Sequence, residues 1–165
     1  MLELGFGIGT NFRALQNFFP ASAKKISFTS IEKDFSGANF YCDTFNHPPT
    51  LELLENLSFQ EKSFEANLIK GEFELILRNI PAASFDCIFF DPFSPKTNPE
   101  AWSTEIFQES YRILRASGRL VTYSVSRSAK DGLSNAGFQI TKRELPKILK
   151  KRSSLLAEKV EKSSK

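Results

Sequence analysis

The sequence predicts an α/β protein built on a doubly wound, mostly parallel sheet. Apolar stretches of strand length alternate with helix-compatible stretches along most of the 165 residues. A glycine-rich turn follows the first strand-like stretch. The run 85–91 is almost continuously apolar, which is typical of a strand buried inside a parallel sheet. The chain length fits a single domain.

The first half of the chain alternates between the two element types. A short apolar strand precedes Gly5, and a helix is expected from Thr10 because apolar residues then recur at helical spacing. A run rich in β-branched and aromatic residues predicts the next strand, and two prolines after His47 separate two further helices. These later elements are a strand over 25–34, helices over 35–45 and 50–61, and a strand over 64–70.

The second half continues the alternation up to a charged end. Apolar residues at helical spacing predict a helix ending at Ile80 and further helices over 101–114 and 128–136. Apolar runs predict strands over 85–91 and 118–124. The charged, serine-rich end predicts a frayed tail over 158–165, which leaves a domain over 1–157.

Composition and charge restrict the possible functions. The net charge of +3 and the isoelectric point of 8.9 are mildly basic and compatible with a nucleic-acid substrate. Two cysteines, Cys42 and Cys87, and the single His47 form neither a disulfide framework nor a metal-binding pattern, so we expect no metal and a cytoplasmic location. No apolar stretch approaches the about 18 residues of a membrane span, so no membrane association is expected.

The glycine turn predicts a cofactor site. Glu3, Gly5, Gly7 and Gly9 form the pattern E-x-G-x-G-x-G, which differs from the dinucleotide fingerprint G-x-G-x-x-G. Glycine allows positive φ and close approach of a ligand, and the following helix directs its free N–H groups to the same place. The pattern resembles the first motif of class I S-adenosylmethionine-dependent methyltransferases, which have a Rossmann-like fold. A flexible turn without a ligand is the alternative.

An acid follows the next predicted strand. Glu32 lies 23 positions after Gly9, close to the offset of about 20 residues at which a βαβ unit presents a carboxylate to ribose. A carboxylate accepts two hydrogen bonds, which suits a vicinal diol. We therefore expect Glu32 to bind the cofactor, with an ordinary exposed acid at a strand end as the alternative.

A stiff segment follows the most apolar predicted strand. Asp91 begins the run Asp-Pro-Phe-Ser-Pro, and at the carboxyl end of a parallel strand it is expected to face the ligand crevice. Methyl transfer to an amine needs an aligned nitrogen lone pair, and a carboxylate can orient the amine and take its proton. Pro92 leaves carbonyl groups as acceptors, and Phe93 is expected to stack on a base. The alternative is a proline-rich loop that only ends a strand.

A more specific resemblance extends over residues 89–102. Their sequence, FFDPFSPKTNPEAW, is similar to the signature of the MnmC-type tRNA methyltransferase domain, with its Asp-Gly-Phe-Ala-Pro and Lys-x-Asn-Pro-Glu segments followed by tryptophan. The opening residues 4–12, the pair Gly71-Glu72 and the later Ala136-Gly137-Phe138 turn are also similar. The resemblance covers residues 2–138.

This resemblance implies a cofactor, a substrate and roles for named residues. S-adenosylmethionine would be held by Glu3, Gly5, Gly7, Gly9, Asn11, Glu32, Glu72 and Asp91. Asp91 and Phe93 would act as catalytic residues by receiving the substrate amine. The implied reaction methylates the aminomethyl group of 5-aminomethyl-2-thiouridine at the wobble position, with tRNA as the partner. Nothing corresponds to the flavin-dependent oxidase module of some members, so no flavin is expected.

Departures from the family pattern leave other functions open. Pro92 replaces the usual glycine, and Met1 falls almost inside the first strand, which predicts a domain shortened at its N-terminus. One alternative is a methyltransferase or aminopropyltransferase acting on another amine, although the latter predicts additional acids near Asp91 and none occurs before Glu100. A truncated, non-catalytic cofactor-binding domain is the other alternative.

Basic residues cluster near the C-terminus. They are Lys142, Arg143, Lys147, Lys150, Lys151 and Arg152. Such a cluster either contacts phosphates or forms a solvated face, and the sequence leaves both possibilities open. Trp102 and Tyr111 are expected in the core.

Overall fold

The chain folds into two compact units of strands and helices. The computed structural model describes residues 1–18, 24–146 and 153–160. The first unit is Met1–Glu72 and the second is Phe73–Lys165. The described residues contain eight strands, six α-helices and one 3-10 helix.

The first unit has three parallel strands and one antiparallel edge strand. Its elements are β1 (Leu2–Leu4), α1 (Thr10–Phe18), β2 (Ile26–Glu32), α2 (Ser36–Phe45), α3 (Pro48–Asn56), β3 (Ser58–Glu61) and β4 (Phe64–Lys70). The strand order is β3-β4-β2-β1, with β2 parallel to both β1 and β4, and β3 antiparallel to β4. The carboxyl ends of β1, β2 and β4 therefore lie at one edge, where ligands of parallel sheets bind.

An aromatic core attaches α1 to the strands of the first unit. Phe12 of α1 is fully buried, and its ring centroid lies 5.5 Å from that of Phe59 and 5.9 Å from that of Phe64. Phe28 of β2 packs on Phe64 with a centroid separation of 6.5 Å. Aromatic side chains bury large areas and favour such tilted pairs. This packing fixes the start of α1, and with it the end of the glycine turn.

The second unit combines one parallel pair of strands with two antiparallel pairs. Its elements are α4 (Phe73–Asn79), β5 (Phe85–Phe90), the 3-10 helix Glu100–Trp102, α5 (Thr104–Ile113), β6 (Leu114–Thr122), α6 (Arg127–Asn135), β7 (Gln139–Glu144) and β8 (Ser153–Glu158). The order is β5-β6-β8-β7, with β5 parallel to β6, and β8 antiparallel to both β6 and β7. The α/β class and the parallel pairing predicted from the sequence are confirmed.

Gly132 of α6 packs directly on α5. A Cβ atom at this position would lie 2.6 Å from two ring carbons of the fully buried Phe107. We expect Gly132→Ala to lower the free energy of unfolding by about 1–3 kcal/mol, because the core has no room for the methyl group. Urea unfolding measures this change. The matched control is Gly37→Ala, whose Cβ would have its nearest neighbour at 3.5 Å; equal stability of the two variants would contradict the packing.

The prediction of a helix over residues 50–61 is wrong for the second half of that range. Leu57 adopts a left-handed conformation with φ 55°, which ends α3 at Asn56. The following residues form β3, which pairs with β4. The helix starts earlier than predicted, at Pro48, because Nδ1 of His47 accepts a hydrogen bond from the backbone N–H of Thr50 and caps it. Pairing with β4, which only two residues separate from β3, outweighed local helical spacing.

The helix predicted over 101–114 is divided in two. Ser103 is extended, and its hydroxyl accepts a hydrogen bond from the N–H of Ile106, so α5 begins at Thr104. The preceding residues form the separate 3-10 helix. Trp102 is only 8% exposed, which confirms its predicted place in the core, whereas Tyr111 is half-buried.

β7 and β8 were not predicted from the sequence, and the predicted start of the tail, residue 158, lies within β8. Glu158 is the last residue of β8, and the backbone N–H of Lys159 donates to the carbonyl of Gly118. The ammonium group of Lys159 also donates to the carbonyls of Tyr111 and Leu114, at 2.8 and 2.7 Å. The predicted boundary after 157 therefore falls inside a paired strand.

The basic cluster is only partly within the described residues. Lys142 and Arg143 lie on β7, and both are exposed. The remaining members, Lys147, Lys150, Lys151 and Arg152, lie outside the described residues. The prediction that this cluster contacts phosphates stays a prediction.

Candidate functional site

The glycine turn connects β1 to α1 in a conformation that needs glycine. Gly5, Gly7 and Gly9 have φ angles of 97°, 55° and 77°, a region that side chains with a Cβ rarely adopt. A Cβ at Gly9 would approach the Phe6 ring to 2.9 Å, whereas a Cβ at Gly7 would meet no atom within 4 Å. Gly9 is thus packed against the protein, and Gly7 borders open space that a ligand can enter.

Glu3 is buried and helps to position the glycine turn through hydrogen bonds in the protein interior. Its side chain is 1% exposed, and its two carboxylate oxygens accept hydrogen bonds from Nδ2 of Asn11 at 2.8 Å and from the hydroxyl of Ser30 at 2.6 Å. The expected cofactor residues Glu3 and Asn11 therefore bind each other. They connect β1, α1 and β2, and this network positions the turn that separates them.

Glu32 lies against the turn at the carboxyl end of β2. Its Oε2 accepts the backbone N–H of Gly7 at 3.2 Å, and its Oε1 accepts the N–H groups of Lys33 and Asp34 at 2.8 and 3.1 Å. A carboxylate has about four lone-pair sites, so these three bonds leave acceptor capacity on Oε2 beside Gly7. The structure brings Glu32 and the turn together, as their spacing predicted.

Glu72 lies beside the segment that follows Glu32. Its carboxylate is 3.7 Å from the ammonium group of Lys33, and both side chains are more than half exposed. The backbone N–H of Gly71 donates to the carbonyl of Glu32 at 3.1 Å. The ends of β2 and β4 thus present two acidic residues at one edge of the first unit.

The start of α2 also contacts the glycine turn, and no sequence signal indicated this. A Cβ at Gly37 would lie 3.5 Å from the carbonyl oxygen of Gly7 and 3.6 Å from the Ile8 side chain. Asp34 stabilises the entry to α2, because its carboxylate accepts both the N–H and the hydroxyl of Ser36 at 2.9 Å. These bonds, the backbone one first, lower the pKa of Asp34.

The Asp91 loop, residues 91–99, belongs to the second unit. Asp91 is exposed directly after β5, and Phe93 is 71% exposed. The carbonyl of Pro92 accepts the hydroxyl of Tyr123 at 2.9 Å, and the carbonyl of Phe93 accepts Nε1–H of Trp102 at 2.8 Å. We expected these carbonyls to remain as acceptors, but the protein's own aromatic donors already bind them.

Tyr123 and Trp102 form an aromatic clamp under the Asp91 loop. Their ring centroids are 6.1 Å apart, and Trp102 packs edge-on against the buried Phe90 at 5.0 Å. Burial and, secondarily, the negative charge of Asp91 raise the pKa of Tyr123, so its hydroxyl stays protonated and able to donate. Tyr123 was not predicted as a site residue, because its only signal in the sequence is its place at the carboxyl end of a predicted strand.

The described residues contain neither a metal-binding cluster nor a membrane span. In the ranges 1–18, 24–146 and 153–160, no three His, Cys, Asp or Glu side chains are grouped so that they could hold a metal ion. In the same ranges, no helix has the length and apolar character required to cross a membrane.

Comparison with protein families gives one match and a consistent set of relatives. A model described as an S-adenosyl-L-methionine-dependent methyltransferase matches residues 39–160. The bifunctional tRNA 5-methylaminomethyl-2-thiouridine biosynthesis protein MnmC of Campylobacter hominis is 33% identical over 85% of this chain and 23% of its own length. The protein of the same name from Haemophilus ducreyi is 31% identical over 98% of this chain and 27% of its own length. The chain thus spans about a quarter of these relatives.

Solved structures share the fold. MNMC2 from Aquifex aeolicus superposes with a TM-score of 0.71 and 22% identity, covering 96% of this chain and 52% of that one. A SAM-dependent methyltransferase from the same organism gives 0.61 and 18%, covering 96% and 81%. Spermidine synthase in complex with the transition-state analogue AdoDATO gives 0.67 and 16%, covering 96% and 54%. These likenesses confirm the predicted Rossmann-like fold of the class I methyltransferase type.

Proposed function

Because this chain belongs to the S-adenosyl-L-methionine-dependent methyltransferase family, we propose that it methylates the aminomethyl group of a modified wobble uridine in tRNA. The product would be 5-methylaminomethyl-2-thiouridine. We propose a cytoplasmic location on the same ground. The relatives named above are proteins of 5-methylaminomethyl-2-thiouridine biosynthesis, and they support the choice of substrate.

This proposal rests on the conformation of the Asp91 loop and on the side chains that the loop exposes. The carboxylate of Asp91 and the exposed ring of Phe93 are separated by one residue, on a loop whose carbonyls at Pro92 and Phe93 are bound by Tyr123 and Trp102. A loop held in this way can present Asp91 and Phe93 to a substrate with little loss of conformational entropy. Phe93 offers a ring for a nucleobase to stack on, and Asp91 offers an acceptor for an amine.

The first unit fits the cofactor of the family. The open side of Gly7 allows a ligand to approach the backbone, and the free N–H groups at the start of α1 lie beside it. Glu32 would bind the ribose hydroxyls through its remaining acceptor capacity, and Glu72 would lie on the adenine side. Glu3 and Asn11 would act indirectly, by holding the turn.

The protein's own contribution to the reaction is mainly positioning. When bound, the cofactor supplies an electrophilic methyl group on a sulfonium sulfur. Asp91 would accept an N–H of the substrate amine, hold the nitrogen lone pair in line, and take up the proton that the amine loses. Phe93 would hold the base, so that the amine stays in reach of Asp91.

Tyr123 is expected to support turnover through the loop. Tyr123→Phe removes the hydroxyl that binds Pro92 but keeps the ring that packs on Trp102. We expect a fall in kcat of about 2- to 10-fold, the effect of losing one hydrogen bond of about 1 kcal/mol, with cofactor affinity unchanged. Initial-rate assays and isothermal titration measure both. The control is Tyr111→Phe, which removes another hydroxyl–carbonyl bond of the second unit; an equal loss of kcat there would contradict the role of Tyr123.

The proposed function is tested with the purified chain. Isothermal titration with S-adenosylmethionine measures binding, and transfer of labelled methyl groups to bulk tRNA measures activity. The tRNA comes from cells that cannot make the final methylaminomethyl group, and fully modified tRNA is the control. Label in 5-methylaminomethyl-2-thiouridine after nuclease digestion, with none in the control, supports the proposal. Cofactor binding without transfer overturns the tRNA substrate, and absence of binding overturns the enzyme assignment for this chain.

A further inference from the structure

The exposed half of the glycine turn is held by two side chains. Glu32 accepts the N–H of Gly7, and the guanidinium group of Arg13 donates through Nη1 to the carbonyl of Ile8. Glu32 is the residue that the proposed function assigns to the cofactor's ribose. Arg13 therefore holds the turn independently of the group that binds the ligand.

The side chain of Arg13, a residue of α1, stacks on an aromatic residue of α2. Its guanidinium carbon lies 3.8 Å from the ring centroid of Tyr41, and the Tyr41 ring lies 4.8 Å from that of Phe45. A guanidinium at this distance over an aromatic face is attracted to it. Its planar geometry lets it stack and donate hydrogen bonds at the same time. The stack therefore restricts Arg13 to the rotamer that reaches Ile8.

At neutral pH, the positive charge of Arg13 acts on two titratable groups, His47 and Cys42. Burial, followed by the positive charge of Arg13, lowers the pKa of His47, the cap of α3. The imidazole is therefore neutral beside the guanidinium. The charged neighbour that acts with Arg13 on Cys42 is Asp43 of α2, which has the opposite sign.

We infer that Arg13 is a positioning residue for S-adenosylmethionine, which it serves by fixing the Ile8 peptide of the glycine turn, and that Tyr41 acts through Arg13. The inference rests on the assignment of this turn to the cofactor under the proposed function. Three glycines with positive φ form a backbone with many alternative conformations when unbound. Arg13 removes those alternative conformations before the ligand binds. Its substitution should therefore lower the affinity for the cofactor and leave the rate of the chemical step unchanged.

The test compares conservative and disruptive substitutions at Arg13 and Tyr41. Arg13→Met keeps an unbranched stem and removes the guanidinium donors, while Tyr41→Leu removes the ring and Tyr41→Phe keeps it. We expect the Kd and KM for S-adenosylmethionine to rise about 5- to 20-fold in Arg13→Met, as for the loss of a charge-assisted hydrogen bond that preorganises a site. At saturating cofactor, kcat should stay within about twofold. Tyr41→Leu should show a smaller rise, and Tyr41→Phe should match the unmodified chain.

The double variant separates positioning from general stabilisation. If Tyr41 acts only through Arg13, Arg13→Met with Tyr41→Leu should bind the cofactor no more weakly than Arg13→Met alone. Arg112→Met is the matched control, because it removes a guanidinium that binds a backbone carbonyl, that of Leu77, in the second unit. It should lower the melting temperature and leave the Kd unchanged.

Each outcome has a distinct meaning. An unchanged Kd in a folded Arg13→Met variant overturns the inference, as do additive effects in the double variant or an equal rise in Arg112→Met. If Arg13→Met does not fold, the difference between Tyr41→Leu and Tyr41→Phe decides, and equal Kd values for these two overturn the inference. Cofactor binding by the unmodified chain without methyl transfer to tRNA contradicts the proposed function and leaves this inference standing.

Discussion

Asp91→Asn is expected to reduce methyl transfer by about 100- to 10,000-fold, the range attributed to a general base that is removed from its site. Asparagine keeps the size of the side chain but cannot take up the proton that the amine loses. The side chain is exposed at the end of β5, so the substitution should leave the fold intact. The affinity for S-adenosylmethionine should stay within about threefold, because the proposed function assigns cofactor binding to the glycine turn and Glu32.

The strand that precedes Asp91 offers a matched control for this variant. Asp86 is an exposed aspartate of β5, and its carboxylate forms a 2.8 Å ion pair with Arg115. Exposed ion pairs contribute little to stability, so Asp86→Asn should retain full activity. Initial rates with labelled cofactor and isothermal titration give the two quantities. Full turnover by Asp91→Asn would remove this residue from the reaction.

Glu32→Gln is expected to raise the Kd for S-adenosylmethionine by about 5- to 150-fold. This range corresponds to the about 1–3 kcal/mol that a hydrogen bond to a charged acceptor contributes. The amide nitrogen of glutamine cannot accept, so the three N–H groups now bound by the carboxylate cannot all keep their partner. The turn then loses its contact at Gly7, and the ligand loses a charged acceptor. At saturating cofactor, kcat should be nearly unchanged.

Glu65→Gln is the control for this second variant. Glu65 lies near the start of β4 in the same unit, and its carboxylate forms a 2.7 Å ion pair with Lys25. That position is at the opposite end of the parallel strands from Glu32. Its substitution should not alter the Kd, which isothermal titration of both variants measures. If Glu32→Gln binds as tightly as Glu65→Gln, Glu32 does not bind the cofactor.

Most elements could be predicted from the sequence because their signals are local. The strands over 64–70 and 85–91 and the helix over 35–45 agree with the structure to within one residue, since each has a clear local apolar pattern. The errors occur where pairing with a neighbouring strand decides. β3 follows a single left-handed residue, Leu57, and β7 is almost entirely exposed and half of its residues are charged, so neither has an apolar period of its own.

In the candidate site too, some contacts could be predicted from the sequence and others could not. The proximity of Glu32 to the glycine turn was predictable because a βαβ unit places the ends of consecutive parallel strands side by side. That the Glu3 carboxylate binds other side chains of the protein was not predictable, because its partner Ser30 is 27 residues away. The same holds for Tyr123, whose partner Pro92 is 31 residues away. A sequence pattern shows which side chains can bind a ligand, but it does not show which of them bind the protein itself.

The sequence by itself determined the α/β class, the glycine turn and the acids at strand ends, because periodicity and backbone conformation are properties of neighbouring residues. Only the tertiary structure decided that Glu3 is buried, that the carbonyls after Asp91 are bound by aromatic donors, and that Arg13 connects the turn to Tyr41. The physical reason is that each buried polar group needs a hydrogen-bond partner. Folding, by bringing distant segments together, settles which partner it finds.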